Sequence, residues 1–187
     1  MEIQSDNSTV VLGKRGSGKT TLIKYLINIA INNHIHIAIL DIVGNYIQFK
    51  GIKNVDYYLV QPHNADKLNK IFSEVYKNGN QLMVLDEADM YDYSLLKKDL
   101  FYSIINLGRN FGIGYIASAR RTANIPKDFI SNANYSFIFK HVLPQDLAVL
   151  REWFSEDEEI FKNLDEYEFA IFKDGNLEAV SKLDLKV

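Results

Sequence analysis

Between residues 10 and 26 the chain reads VVLGKRGSGKTTLIKYL, and the stretch from Gly13 to Thr20 satisfies G-x-x-x-x-G-K-[ST] in full. The glycines let the backbone curl until successive N–H groups aim at one anion, and the unpaired donors of a following helix N-terminus add to them. Gly13, Lys14, Arg15, Gly16, Ser17, Gly18, Lys19, Thr20 and Thr21 then surround the phosphates of a nucleotide. In that arrangement Lys19 reaches the β- and γ-phosphates, and the Thr20 hydroxyl ligates Mg²⁺. The competing reading is a glycine-rich turn with a surface lysine. The motif lies between a strand-like and a helix-like run, the context it requires.

A phosphate cradle does not say what becomes of the phosphate. The segment LMVLDE (82–87) ends an apolar run with Asp86 and Glu87 side by side. At a strand end Asp86 can hold the Mg²⁺ water shell, while Glu87, pointing elsewhere, can polarise an attacking water. That pairing favours hydrolysis over transfer to a second substrate. The bland alternative is a strand end kept acidic for solubility. Asp89 and Asp92 read as solvated.

These residues need a scaffold, and apolar runs of strand length alternate with helical patterns, as in an α/β domain with a largely parallel sheet. Strands are predicted at 9–13, 34–41, 56–61, 81–86, 113–119 and 135–140. Helices are predicted over 18–32, with Leu22, Ile23, Leu26, Ile27 and Ala30 on one face, and near 64–77. A further helix over about 93–110 would carry Leu96, Leu100, Ile104 and Leu107. The tail holds helices at 144–154 and near 156–163, then a hairpin turning at Asp174 and Gly175.

Composition narrows the class. With 187 residues and 47% hydrophobic content, a single domain is expected, and a net charge of −3 supplies no global field for nucleic acid or anionic lipid. Any DNA contact must therefore be local; Lys97, Lys98 and Lys127 are candidates, each also readable as a solvated lysine. The absence of cysteine excludes disulfides and thiolate metal sites. His34 and His36 alternate on a predicted strand, but with His63 and His141 they show no ligand spacing, so no metal beyond Mg²⁺ is expected. The polar N-terminus lacks a signal-peptide pattern, and no apolar run reaches the roughly 20 residues of a membrane span. The expectation is a soluble intracellular protein without a membrane span. Trp153 and Phe154 read as core, or as a subunit interface if exposed.

Taken in order, Gly13–Thr20, LDIVGNY (40–46), LMVLDEAD (82–89) and GRNFGIGYIASARR (108–121) resemble the HerA/FtsK superfamily of ring-forming, DNA-pumping ATPases. Within it, the chain is similar to the small genome-packaging ATPases of poxvirus-like viruses, internal-membrane phages and archaeal viruses, and the likeness covers most of residues 8–175. The motor begins within ten residues of Met1, without the N-terminal barrel that cellular members carry, which favours the minimal viral form.

The resemblance implies a RecA-like (ASCE) P-loop NTPase, a three-layer sandwich with a mainly parallel central sheet, and one P-loop ATPase domain over residues 1–187. It implies ATP and Mg²⁺ as cofactors, and hydrolysis coupled to translocation of double-stranded DNA, most simply genome packaging. It further implies a homo-oligomer, a hexameric ring with ATP between subunits, with capsid or portal/vertex proteins as further partners, in the host cytoplasm or the virion. Such sites take a cation from the neighbouring subunit, worth roughly 10³–10⁵ in rate in other NTPases; Arg109 is the residue the resemblance assigns to it. Family members end the next strand with a polar sensor, often glutamine, followed by arginine. Here Ser118-Ala119-Arg120-Arg121 leaves Ser118 or Arg120 as the γ-phosphate sensor, with a solvated basic loop as the alternative for the two arginines. The resemblance also brings Asp41 and Tyr46 close to the nucleotide, although the residues alone permit a turn at Gly44 and plain packing for Tyr46.

Two other classes share the P-loop. A nucleotide or small-molecule kinase would need an arginine-rich lid, which is not evident, and would leave Glu87 surplus. A regulatory NTP-binding switch would hydrolyse slowly, without DNA dependence or a ring.

Overall fold

The apolar run ahead of the glycine motif folds as strand β1, Ser8–Leu12, with every residue buried. The structure is a computed structural model that describes residues 3–154 and 158–184. Helix α1 (Lys19–Asn32) follows, burying Leu22, Ile23, Leu26, Ile27 and Ala30 at helical spacing. The chain then alternates through β2 (His36–Asp41), β3 (Val55–Leu59), α2 (Ala65–Asn78), β4 (Gln81–Leu85), α3 (Lys98–Leu107) and β5 (Ile113–Ala119). It closes with α4 (Lys127–Ser131), β6 (Tyr135–Phe139), α5 (Pro144–Phe154), α6 (Glu158–Lys162), β7 (Glu168–Lys173) and β8 (Asn176–Lys182).

The strands form one sheet in the order β3-β2-β4-β5-β1-β6-β7-β8. From β3 to β6 every pairing is parallel, and the β7–β8 hairpin adds two antiparallel pairings at one edge. Successive side chains on a strand point to opposite faces. Val10, Leu12, Leu40, Met83 and Leu85 accordingly pack with α2, α3 and α5, while Val11, Ile37, Ile39, Leu82 and Val84 pack with α1. The result is the expected three-layer α/β sandwich around a mainly parallel sheet, the fold of a P-loop NTPase. Among the described residues no helix is long and apolar enough to cross a membrane.

The continuous helix expected over 93–110 is instead three pieces. Asp92 accepts the Ser94 N–H and caps a short 3₁₀ turn over Tyr93–Leu95. Leu96 is extended, and the Lys97 N–H donates to Asn69 of α2, so α3 starts only at Lys98. A second 3₁₀ turn, Gly108–Phe111, ends it. Side-chain capping here outcompetes the apolar period; Leu107 is left exposed, while Ile104 and Ile105 carry the burial. His34 is not on a strand: it sits in a turn at φ +58, and His36 pairs with Asp56 at 2.7 Å. Helix α4, five residues long, is too short for periodicity to reveal. Of the acidic helix expected near 156–163, residues 156 and 157 lie outside the described residues. The β7–β8 turn falls at Asp174 and Gly175, both at positive φ, as a tight hairpin needs.

Candidate nucleotide-binding site

Because β5 lies between β1 and β4, the carboxyl ends of three adjacent parallel strands meet at one edge. The P-loop leaves β1 there, the two acids leave β4, and Ser118 to Arg121 leave β5. A cavity of about 690 Å³ opens at this edge, lined on one side by Arg15, Gly16, Gly18, Lys19, Thr20 and Thr21, and on the other by Asp86, Glu87 and Arg120. Val43, Asn45, Met90 and Tyr167 complete the wall.

The loop curls tightly around Lys19. Lys19 is 8% exposed, and its ammonium donates to the carbonyl oxygens of Gly13 (2.7 Å) and Lys14 (3.1 Å). Burial lowers its pKa, opposed by the carboxylates of Glu87, Asp89 and Asp86. Gly13 has no room for a side chain, since a Cβ would fall 2.6 Å from that of Phe139 and 2.9 Å from the Ser17 hydroxyl. Two features fit a bound phosphate chain. The first turn of α1 has no side-chain cap, leaving its N–H donors free. Ser17 Oγ is buried without a hydrogen-bond partner, so a donor stands ready beside the cradle.

Asp86 is 2% exposed, and burial raises its pKa. Three side chains donate to its carboxylate: Ser118 at 3.0 Å, Tyr46 at 3.2 Å and Asn45 at 3.3 Å. The fully buried Tyr46 lies beside the Thr20 side chain as well. The two side chains expected to ligate Mg²⁺ thus both neighbour one phenol, and oxygen donors on a buried carboxylate suit a hard divalent cation.

Asn45 and Tyr46 are delivered by Asp41, a fully buried carboxylate. Its oxygens accept the N–H groups of Val43, Gly44, Asn45 and Tyr46 at 2.8 to 3.2 Å, and the Tyr57 hydroxyl at 3.0 Å. Asp41 therefore orders the 42–46 turn and acts on the site through Asn45 and Tyr46.

Glu87 follows Asp86 at φ +53, a left-handed conformation that turns its side chain into the cavity. Its N–H donates to Ser118 Oγ at 2.9 Å, and its carboxylate pairs with the Arg120 guanidinium. Burial raises the Glu87 pKa; Arg120 opposes that shift. Ser118, 1% exposed, does not line the cavity but braces the two acids against each other. Asp89 is not merely solvated, because its carboxylate accepts the N–H groups of Arg120 (3.3 Å) and Arg121 (3.2 Å). Asp92 is used as the cap described above. Arg121 turns away from the site and pairs with the buried Asp146 at 3.1 Å.

Arg109 lies elsewhere. It precedes β5, at the amino-terminal edge of the sheet, a strand length of about 15–20 Å from the P-loop. There its side chain is 76% exposed, 4.0 Å from Asp6. Lys97 and Lys98 are exposed, whereas Lys127 pairs with Glu152 at 2.9 Å and sits over the Trp153 ring. Phe154 is core and Trp153 half-buried. Among the described residues no group of histidine and acidic side chains could hold a metal by itself.

Sequence reasoning missed Asp89, Asn45 and the bracing position of Ser118. The signal for Asp89 was its place just beyond the two acids, where a short carboxylate readily caps free backbone N–H groups. Nothing in the sequence points from residue 89 to residues 120 and 121.

A curled glycine loop closed on a buried lysine, with paired acids two strands away and one strand inserted between, defines a P-loop NTPase. The family model described as helicase HerA, central domain, matches residues 6–110, more than half of the chain. The chain belongs to that family. Curated protein sequences yield no significant match. Among solved structures, it is similar to the genome packaging NTPase B204 from Sulfolobus turreted icosahedral virus 2 in complex with ATP-gammaS. The TM-score is 0.83 at 22% identity, over 98% of this chain and 100% of that one. EssC (ATPases 2 and 3) from Geobacillus thermodenitrificans matches with TM-score 0.67 at 15% identity, over 90% of this chain and 38% of that one. The pCW3 conjugation coupling protein TcpA matches with TM-score 0.64 at 13% identity, over 92% and 59%. At these identities the likeness establishes the fold.

Proposed function

We propose that the chain is an ATP-hydrolysing DNA translocase, a genome-packaging motor ATPase that pumps double-stranded DNA. Residues 1–187 act as one P-loop ATPase domain within a homo-hexameric ring, in the host cytoplasm or the virion, with capsid or portal/vertex proteins as further partners. One observation carries this reading: Lys19, Thr20, Asp86, Glu87 and Arg120 line a single cavity at the ends of β1, β4 and β5. Family membership and the likeness to a packaging NTPase over nearly the whole chain support it.

The P-loop residues 13–21 bind the phosphates, with Lys19 neutralising the β- and γ-phosphates. Thr20 and Asp86 would hold Mg²⁺, which when bound neutralises charge on the phosphate oxygens. Glu87 orients the attacking water and takes its proton. Its ion pair with Arg120 makes that step conditional, because the carboxylate is free to act once the guanidinium turns to the γ-phosphate. Ser118 holds both acids in register. Exposed and far from its own P-loop, Arg109 suits the nucleotide of a neighbouring molecule.

The test is steady-state ATP hydrolysis with and without double-stranded DNA, for wild type and Glu87→Gln, over a range of protein concentrations. The expected result is hydrolysis that rises with DNA, rises more than linearly with protein and vanishes in the variant. Hydrolysis indifferent to DNA and strictly linear in protein would sink the motor reading and leave a switch or a kinase.

A further inference from the structure

The P-loop cavity is lined by Glu87 and Arg120, by the loop with Thr20 and Thr21, and by a single aromatic side chain, Tyr167. That residue immediately precedes β7, and β7 runs antiparallel to β6. Its start is therefore at the same sheet edge as the end of β1, where the P-loop begins. Gly18 shows how closely the hairpin approaches: a Cβ there would lie 3.2 Å from Tyr167 Cδ1 and 2.6 Å from Leu183 Cδ1. The missing side chain at Gly18 is what admits the Tyr167 ring against the loop backbone.

Tyr167 is also held in place. Its φ is +64, a left-handed value that a bulky residue adopts at a cost and that clusters at ligand clamps. The Leu183 N–H donates to its carbonyl at 3.0 Å, tying the start of β7 to the chain just beyond β8. Tyr167 is half-buried. It lines the main cavity and also a neighbouring hollow of about 430 Å³, and Arg15 of the P-loop lines both as well. Two planar groups, one aromatic and one a guanidinium, therefore flank the same stretch of loop.

Building on the nucleotide reading proposed above, we infer that Tyr167 is the platform on which the base of the bound nucleotide stacks, with Arg15 beside it. The strand order supports this, because β4, which ends at the two acids, and β7, which Tyr167 precedes, lie on opposite sides of β1. The γ-phosphate end is fixed by Lys19 and Glu87, and the helix N-terminus at Thr20 and Thr21 takes the phosphates nearer the sugar. The base must then leave the cradle at the end away from Glu87, where Tyr167 stands. The hollow beyond it is lined by charges of both signs, Lys14, Arg15 and Lys140 with Asp165, Glu166 and Glu168, and its carboxylates offer acceptors to a ring amino group. Stacking tolerates any base, because each has a π-face; the contact rewards a nucleotide over bare polyphosphate.

The experiment compares ATP with inorganic tripolyphosphate, each with Mg²⁺, by titration calorimetry on the full chain as wild type, Tyr167→Phe and Tyr167→Ala. Wild type and Tyr167→Phe should bind both ligands with unchanged affinity. Tyr167→Ala should bind ATP about tenfold more weakly, the order of one lost base stack, and tripolyphosphate as wild type does. Equal losses for both ligands would make Tyr167 a packing residue of the cradle and overturn the assignment, as would no loss for either. Wild type binding neither ligand would refute the nucleotide reading itself, a failure distinct from the other two. Should Tyr167→Ala not fold, Tyr167→Trp supplies the same decision by fluorescence. Quenching by ATP and not by tripolyphosphate supports the stack, and equal responses overturn it.

Discussion

Ser118 Oγ donates to Asp86 Oδ1 at 3.0 Å and accepts the Glu87 N–H at 2.9 Å, in a pocket where the residue is 1% exposed. Ser118→Ala removes both bonds and nothing else of size. A hydrogen bond to a charged group contributes about 1.5–3 kcal/mol and a neutral one about 0.5–1.5 kcal/mol. Allowing for relaxation, the variant should lose about 2–3 kcal/mol. In a protein of this size each kcal/mol moves Tm by about 2–4 °C, so a fall of about 5–10 °C is expected by scanning calorimetry. The catalytic effect should be larger than the binding effect. Glu87 would keep its carboxylate but lose the N–H anchor that fixes its left-handed backbone, and a displacement of about 1 Å costs up to about 10²-fold in rate. Lys19 and the loop backbone are untouched, so ATP affinity should hold within about threefold while kcat falls about 10- to 100-fold. Wild-type Tm and kcat in Ser118→Ala would refute the bracing role. A selective loss of ATP affinity would instead return Ser118 to a direct phosphate contact.

Two further predictions follow from buried groups. Asp41→Asn keeps one acceptor oxygen but turns an amide toward the Tyr46 N–H, and should cost about 1–3 kcal/mol in urea unfolding; because Asn45 and Tyr46 then loosen from Asp86, ATP hydrolysis should also need more Mg²⁺, and an unchanged Mg²⁺ requirement would deny the coupling. His141 bonds to the Phe139 carbonyl at 2.8 Å and to Thr122 at 2.9 Å, and burial holds its pKa below 6.5 against the pull of the Phe139 carbonyl and Asp146, with Lys19 adding to the depression. The unfolded chain then binds the proton more readily, so stability is complete above pH 6.5 and falls as pH drops toward the folded pKa; His141→Gln should flatten the stability profile in that window, and parallel profiles would contradict it.

The sequence carried most of the sheet because buried parallel strands are continuous apolar runs, and β1, β4 and β5 needed no partner to be recognised. It carried the P-loop and the two acids for a different reason: their spacing is local. What it did not carry depends on contacts between distant segments. Helix 93–110 failed because Asn69, far back in α2, caps the chain at Lys97. Asp89 looked solvated because its partners are backbone groups at 120 and 121, which have no side-chain signature. Asp41 is the last residue of a predicted strand ahead of a turn at Gly44, and its full burial beneath donated N–H groups appears only once the turn has closed over it.

The same long-range contacts bear on how the base role proposed for Glu87 can be held in check by its ion pair with Arg120. The β4 and β5 ends are cross-braced by backbone donors: the Glu87 N–H on Ser118, and the Arg120 and Arg121 N–H groups on Asp89. Arg121 is further tied to Asp146. With the main chain of residues 120 and 121 fixed in this way, the long side chain of Arg120 can leave Glu87 without the frame moving. Its guanidinium has two anions to choose between, the carboxylate of Glu87 and the γ-phosphate at the other wall of the same cavity. A triphosphate carries more negative charge than a carboxylate, so occupancy of the cradle favours the second. In the mechanism proposed above, the arrival of the triphosphate would then release Glu87 to act as base. Replacing Arg120 by alanine should raise slow, DNA-independent hydrolysis if restraint of Glu87 is its main role, and lower hydrolysis if contact with the γ-phosphate is.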